Sequence, residues 1–83
     1  MACKLHTLKI LPEYFEAVNA GMKQFEIRYN DRDYHAGDIL ELNEYTKSGY
    51  TGRVIKCRVT YLTDYAQQDN YVVMGIKPIT ADV

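Results

Sequence analysis

The chain has 83 residues, of which 47% are hydrophobic and 25% are charged. This length allows one domain, over residues 1–83, and excludes two, and the composition argues against a disordered protein. Ten Lys and Arg residues against eleven Asp and Glu residues give a formal net charge of −1. Proteins that bind nucleic acid mainly through phosphates are markedly basic, so any nucleic-acid contact is expected to be small and local.

No apolar run approaches the roughly 20 residues that a membrane-spanning helix needs, and the first ten residues lack the apolar segment of a signal peptide. We therefore expect a soluble, cytoplasmic protein that makes no membrane contact. Cys3 and Cys57 are the only cysteines, and they show none of the spacings typical of metal or redox sites. We expect no metal and no cofactor.

The first 22 residues predict a strand followed by a helix. Residues 4–10 alternate, and the side chains that share one face are His6, Leu8 and Ile10. A helix is predicted over about residues 12–20, with Pro12 at its first position and Gly21 just past its end. Its apolar stripe consists of Leu11, Tyr14, Phe15 and Val18.

Four further strands are predicted at 23–29, 38–45, 53–62 and 71–79, with polar loops between them that include residues 46–52. In 23–29, Phe25, Ile27 and Tyr29 point one way, and Gln24, Glu26 and Arg28 point the other way. Leu40 and Leu42 share a face of the third strand. In the fourth strand a common face is formed by Ile55, Cys57, Val59 and Tyr61.

The connections after residue 22 are too short for crossover helices. The sequence therefore predicts a mainly β (α+β) fold, with one helix after the first strand. We expect a small and mostly antiparallel β-barrel, because curling would remove exposed sheet edges.

The stretch GMKQFEIR, residues 21–28, concentrates charge where the helix leads into the second strand. On one interpretation, Glu26 and Arg28 are a solvated pair on the outer face of a strand. Lys23 would then only complement the helix dipole. On the other interpretation, the three side chains form a site.

The same stretch fits G-x-K-x-x-E-x-R and resembles the signature of the ASCH domains, which share a PUA-like β-barrel. The longer run from Leu8 to Tyr45, with YTGR and YVVMGI later, is similar to a small bacterial and phage subgroup of that superfamily. The resemblance implies an RNA- or nucleotide-binding module whose signature residues line a cleft between helix and barrel. Lys23, Glu26 and Arg28 would form the cleft floor, and Gly21 would permit a sharp backbone turn.

A nucleotide offers such a cleft a phosphate, a base edge and a base face. Arg28 and Arg32 could each bind phosphate oxygens, and Glu26 could accept the amine of cytosine or adenine, or hold Arg28 in place. The candidate stacking faces are Tyr29, Tyr34 and Tyr50. His6 is either a hydrogen-bonded inward side chain or a cleft residue.

Two alternatives to binding remain open, and the first is enzymatic. One branch of the superfamily hydrolyses the acetyl amide of N4-acetylcytidine with a lysine, a threonine and a glutamate. Lys23 matches the lysine, but Glu26 stands at the threonine position, so we expect no catalytic residue and no deacetylation. The second alternative is a protein-interaction module, which an exposed apolar patch away from the cleft would favour.

Overall fold

The computed structural model describes residues 3–79 and contains five strands and one helix in this range. The elements are β1 (Leu5–Ile10), α1 (Pro12–Asn19), β2 (Phe25–Tyr29), β3 (Ile39–Thr46), β4 (Gly49–Thr63) and β5 (Tyr71–Pro78). The strands form one curled, half-barrel sheet in the order β1-β3-β4-β5-β2. β1 pairs with β3 in parallel, and the other neighbours are antiparallel. The prediction of a mainly β, mostly antiparallel fold with one helix after the first strand is confirmed.

The hydrophobic core fills the concave face of this sheet. Its members in the strands include Leu8, Ile10, Leu40, Leu42, Cys57, Val59, Val72, Met74 and Ile76. Cys57 is fully buried in this core, as its place in an alternating strand predicts. Its burial, with a smaller contribution from the negative charge of Glu26, raises the pKa of the Cys57 thiol to about 11.

The helix begins one residue later than its apolar stripe. Leu11 is the residue that precedes α1 and has an extended backbone, and Phe15 and Val18 are the buried residues of α1. Leu11 and Tyr14 are 52% and 46% exposed, so the prediction that all four stripe residues pack inward is wrong for these two. The physical reason is that Leu11 lies outside the helix and Tyr14 lies at the edge of the stripe.

Arg53 links α1 to the sheet through ion pairs and a contact with an aromatic ring. Its Nη1 lies 2.7 Å from Oε2 of Glu16 on the helix and 3.7 Å from Oε2 of the buried Glu44 on β3. Its guanidinium carbon stands 4.4 Å from the ring centroid of Phe15. Arg53 lies within a break of the β3–β4 register, and this irregularity turns it toward the helix.

Two predictions about β4 are wrong. Residues 46–52 do not form a loop, because β4 already begins at Gly49 after a turn at residues 47 and 48. Tyr61 does not share the face of Val59, because the β4–β5 register shifts between these residues. Tyr61 is exposed, and Leu62 packs against the core instead.

The strand order leaves β1 and β2 at the two ends of the sheet. Within residues 3–79 these two strands make no ladder with each other, so the half-barrel stays open between them. In the same part of the chain, no helix has the length and apolar character needed to cross a membrane.

Candidate binding cleft between the strand edges

A cleft of about 480 Å³ lies where the open edges of β1 and β2 face each other. It is lined by Lys9, Ile10, Leu11, Tyr14, Lys23, Phe25, Glu26, Ile27 and Arg28. Four consecutive residues of β2 line it, although their side chains alternate between the two faces of the sheet. A cavity can touch both sets only at the edge of the strand, so the unpaired edge of β2 forms one side of the cleft.

Glu26 is the buried centre of the cleft floor, with its side chain only 5% exposed. One carboxylate oxygen accepts a hydrogen bond from Lys23 Nζ at 2.8 Å, and the other accepts from Arg28 Nε at 3.0 Å. The structure therefore brings together the three charged residues of the sequence motif. A buried carboxylate that pairs with two cations at once holds both of them in fixed positions.

Gly21 and the end of α1 bring Lys23 to this position. Gly21 has a φ of +79°, a conformation that glycine adopts without steric cost. The Gly21 amide donates to the Val18 carbonyl, and the amide of Lys23 donates to the Ala17 carbonyl. These bonds close the helix and direct the chain into β2, as the predicted sharp turn requires.

Arg28 also bridges the gap between the two strand edges. Its Nη2 donates to the Lys9 carbonyl of β1 at 2.9 Å. Arg32, in the loop after β2, makes a second bridge to β1, because its Nη1 donates to the Thr7 carbonyl at 2.9 Å. Two guanidinium groups thus take the place of a strand ladder on this edge of β1.

The cleft is more positive than the protein as a whole. Lys23 and Arg28 line it against Glu26, a net charge of +1 on a chain whose net charge is −1. Lys9 also lines the cleft, but its ammonium group lies 4.4 Å from the ring centroid of Tyr45, which is not part of the lining. Lys23 and Arg28 have further N–H groups, beyond those bonded to protein atoms, for which residues 3–79 supply no hydrogen-bond partner. These groups can bind an anion.

The walls of the cleft are apolar and accessible. Leu11, Tyr14, Phe25 and Ile27 are between 43% and 52% exposed, and Lys23 Nζ lies 4.8 Å from the ring centroid of Phe25. Sequence reasoning missed Lys9, Tyr14 and Phe25 as cleft residues, because it assigned Tyr14 to the core and weighed only tyrosines as stacking faces. The missed signal is that Tyr14 stands at the edge of its helical stripe.

Three of the predicted binding residues lie elsewhere. Arg32 is absent from the cleft lining and bridges to Thr7. Tyr50 lies in the β3–β4 hairpin, where its ring meets that of Tyr45 edge-on at 5.1 Å. His6 is buried, and its ring nitrogen donates a hydrogen bond to Asp38.

The other two tyrosines predicted as stacking faces also lie outside the cleft lining. Tyr34 is buried against His6, and Tyr29 contacts Tyr71.

Asp38 is the centre of a buried hydrogen-bond network at the start of β1, a role that the sequence analysis did not assign to it. Its buried carboxylate accepts from His6 Nε2 at 2.8 Å and from the amides of Lys4 and His35 at 3.1 and 3.0 Å. Burial alone would raise the pKa of Asp38, but the hydrogen bonds from these donors lower it below its usual value of 3.8. This network joins β1 to the loop before β3.

Fold and cleft together define a small, mainly β domain with a basic cleft between its open strand edges. Over residues 5–76 the chain matches the family described as "Domain of unknown function (DUF3850)", and it belongs to this family. It is 37% identical over 75 residues to the "Uncharacterized 12.9 kDa protein in GpA 3'region" of Escherichia phage P2. That alignment covers 89% of this chain and 69% of the phage protein. All the residues that line the cleft fall within the matched range.

Proposed function

We propose that this protein is an RNA- or nucleotide-binding module of the ASCH kind and that the cleft holds one nucleotide. The observation that carries the proposal is the arrangement around Glu26. Two cations are fixed at the floor, next to exposed apolar and aromatic walls. A nucleotide combines the same two properties, an anionic phosphate and a flat, largely apolar base.

The charges of the cleft suit a phosphate. Arg28 can offer its free N–H groups as a fork, and Lys23 adds a fixed positive charge. Lys9 lines the cleft from the opposite strand edge, but its ammonium group lies over the Tyr45 ring, so Lys23 and Arg28 supply the positive charge that a phosphate would meet. Because the rest of the chain is nearly neutral, the attraction is local, and an extended nucleic-acid track is not required.

The size and the walls of the cleft suit one base. Clefts that bind small molecules typically measure roughly 300–1,000 Å³ and combine apolar walls with a few polar groups. Tyr14 and Phe25 offer aromatic surface on the walls, and a base that packs against an aromatic ring gains roughly 1–3 kcal/mol.

The same geometry favours binding over hydrolysis of an amide. Lys23 Nζ donates hydrogen bonds to Glu26 and to the Phe25 carbonyl at 2.8 and 2.7 Å. An ammonium group has no lone pair with which to accept a proton from water or to attack an amide. Among the described residues that line the cleft, Glu26 is the only carboxylate, and both its oxygens are already engaged.

A charge-neutralising change at Lys23 tests the proposal, because a glutamine at this position removes the charge and can still donate a hydrogen bond to Glu26. We expect Lys23→Gln to weaken binding of a nucleoside monophosphate or short single-stranded RNA, and we expect Lys56→Gln to leave it unchanged. Lys56 is exposed on β4, and of the two lysines only Lys23 lines the cleft. Isothermal titration at low salt, repeated over a salt series, measures both effects.

For short single-stranded RNA and the unmodified protein, we expect log K to fall with log salt with a slope of about −1 to −3. This slope corresponds to about two to four phosphate contacts, since each contact on a single strand contributes roughly −0.7. A slope of about −6 would indicate an extended basic track and contradict a one-nucleotide cleft. Equal losses in Lys23→Gln and Lys56→Gln would show that binding depends on overall charge and not on the cleft.

A further inference from the structure

The backbone N–H and C=O groups of β2 point alternately toward the partner strand β5 and toward the open edge of the sheet. The Gln24 carbonyl accepts from the Ile76 amide at 3.0 Å, and the Asn30 amide donates to the Asn70 carbonyl at 2.7 Å. The register between these two bonds is regular. In an antiparallel ladder every second residue bonds to the partner, so the even-numbered residues of β2 face β5. The peptide groups of Ile27 and of its odd-numbered neighbours therefore face the cleft side.

Two carbonyls on this edge are already used. The Phe25 carbonyl accepts from Lys23 Nζ at 2.7 Å, and the Tyr29 carbonyl accepts from the Asp31 amide at 2.9 Å. Between them, neither the N–H nor the C=O of Ile27 has a partner within residues 3–79. Ile27 thus presents an adjacent donor and acceptor to the cleft that it lines.

We propose that the backbone of Ile27 reads the base of the bound nucleotide, an inference that rests on the proposed function. Every nucleobase has, on its Watson–Crick edge, a donor next to an acceptor, which can pair with one C=O and one N–H. For cytosine and adenine the donor is the amino group, and for uracil and guanine it is the ring N–H. The ligand class is therefore a nucleotide whose Watson–Crick edge is free, as in a single strand or a mononucleotide.

Glu26 is not available for this task. Each of its oxygens accepts from a cation, and its side chain is buried. The division of roles is thus that Lys23 and Arg28 hold the phosphate, and the edge of β2 reads the base. Because the N–H and C=O of Ile27 can pair with any of the four bases, the cleft discriminates little between them. It rejects a base whose Watson–Crick edge is blocked.

A proline at position 27 removes the N–H of that residue and leaves the ladder to β5 intact. Proline is tolerated on an edge strand where the N–H faces away from the neighbouring strand. We expect Ile27→Pro to weaken binding of uridine 5′-monophosphate about tenfold, the effect of losing a paired base contact. Ile27→Val is the matched control, because it keeps the N–H, and we expect its affinity to stay within about twofold of the original.

A second measurement on the unmodified protein does not depend on the folding of the proline variant. 3-Methyluridine 5′-monophosphate has the same phosphate but a methyl group on the ring nitrogen that would donate to the Ile27 carbonyl. We expect it to bind about tenfold more weakly than uridine 5′-monophosphate. Equal affinity for the two nucleotides would overturn the reading of the base and leave the cleft's phosphate binding in place. If neither nucleotide binds, the proposed function itself is contradicted.

Discussion

Replacing Glu26 by Gln is expected to lower the free energy of unfolding by about 3 kcal/mol, the scale on which breaking a buried ion pair destabilises a protein. Glu26 is the shared counter-ion of Lys23 and Arg28 at 2.8 and 3.0 Å. A carboxamide has the same shape, but it carries no charge and offers a donor where one of these cations also donates. For a domain of this size the melting temperature should fall by roughly 12–24 °C.

Glu41→Gln is the matched control. Glu41 lies on the outer face of β3, and its contact with Thr7 is exposed, so we expect its free energy of unfolding to change by less than about 0.5 kcal/mol. Denaturant unfolding of the three proteins, followed by circular dichroism, measures the difference. If Glu26→Gln were as stable as Glu41→Gln, the charged cluster would not hold the open edges together.

Replacing Asp38 by Asn should also cost about 3 kcal/mol at neutral pH, because a carboxamide has one oxygen fewer to accept hydrogen bonds and leaves buried donors without a partner. The carboxylate of Asp38 also accepts from the amides of Lys4 and His35, which join β1 to the loop before β3. We expect the variant to keep the fold with a lower midpoint in urea.

The pH dependence of this loss follows from the pKa of Asp38, which the hydrogen bonds hold below its usual value of 3.8. A carboxyl group whose pKa is lower in the folded protein stabilises it above the unfolded pKa, and this contribution disappears as the pH falls through the folded pKa. The stability difference between the original protein and Asp38→Asn should therefore be constant near neutral pH and shrink below about pH 4.

The exposed Asp64 supplies a control, since Asp64→Asn should follow the original protein at every pH. A stability difference for Asp38→Asn that stays the same down to about pH 2 would show that the carboxylate charge makes no contribution.

Alternation in the sequence was sufficient to predict most of the sheet. His6, Leu8 and Ile10 share the inner face of β1, and Leu40 and Leu42 share that of β3. The error at Tyr61 arose because a register shift changes which residues of a strand point inward. Such a bulge depends on how two strands pair, so it cannot be predicted from the alternation of apolar and polar residues in either strand.

The orientation of β2 was harder to predict than its existence. Polarity normally places Phe25 and Ile27 inside and Glu26 outside, but Glu26 is buried and the two apolar residues are accessible. This inversion is stable because Glu26 is paired with Lys23 and Arg28. The motif predicted that these three charges belong together, whereas the contributions of Lys9 and Tyr14 depend on how β1 and α1 meet the edge of β2.

The proposed function depends most directly on whether a nucleotide occupies the cleft between the strand edges. Titration of the isotopically labelled protein with uridine 5′-monophosphate, followed by amide chemical shifts, locates the binding surface residue by residue. We expect saturable shifts at Lys9, Lys23, Ile27 and Arg28, and little change at Lys56, which is exposed on β4 and does not line the cleft. Shifts confined to other surfaces, or no saturable shift at millimolar nucleotide in low salt, would contradict the account.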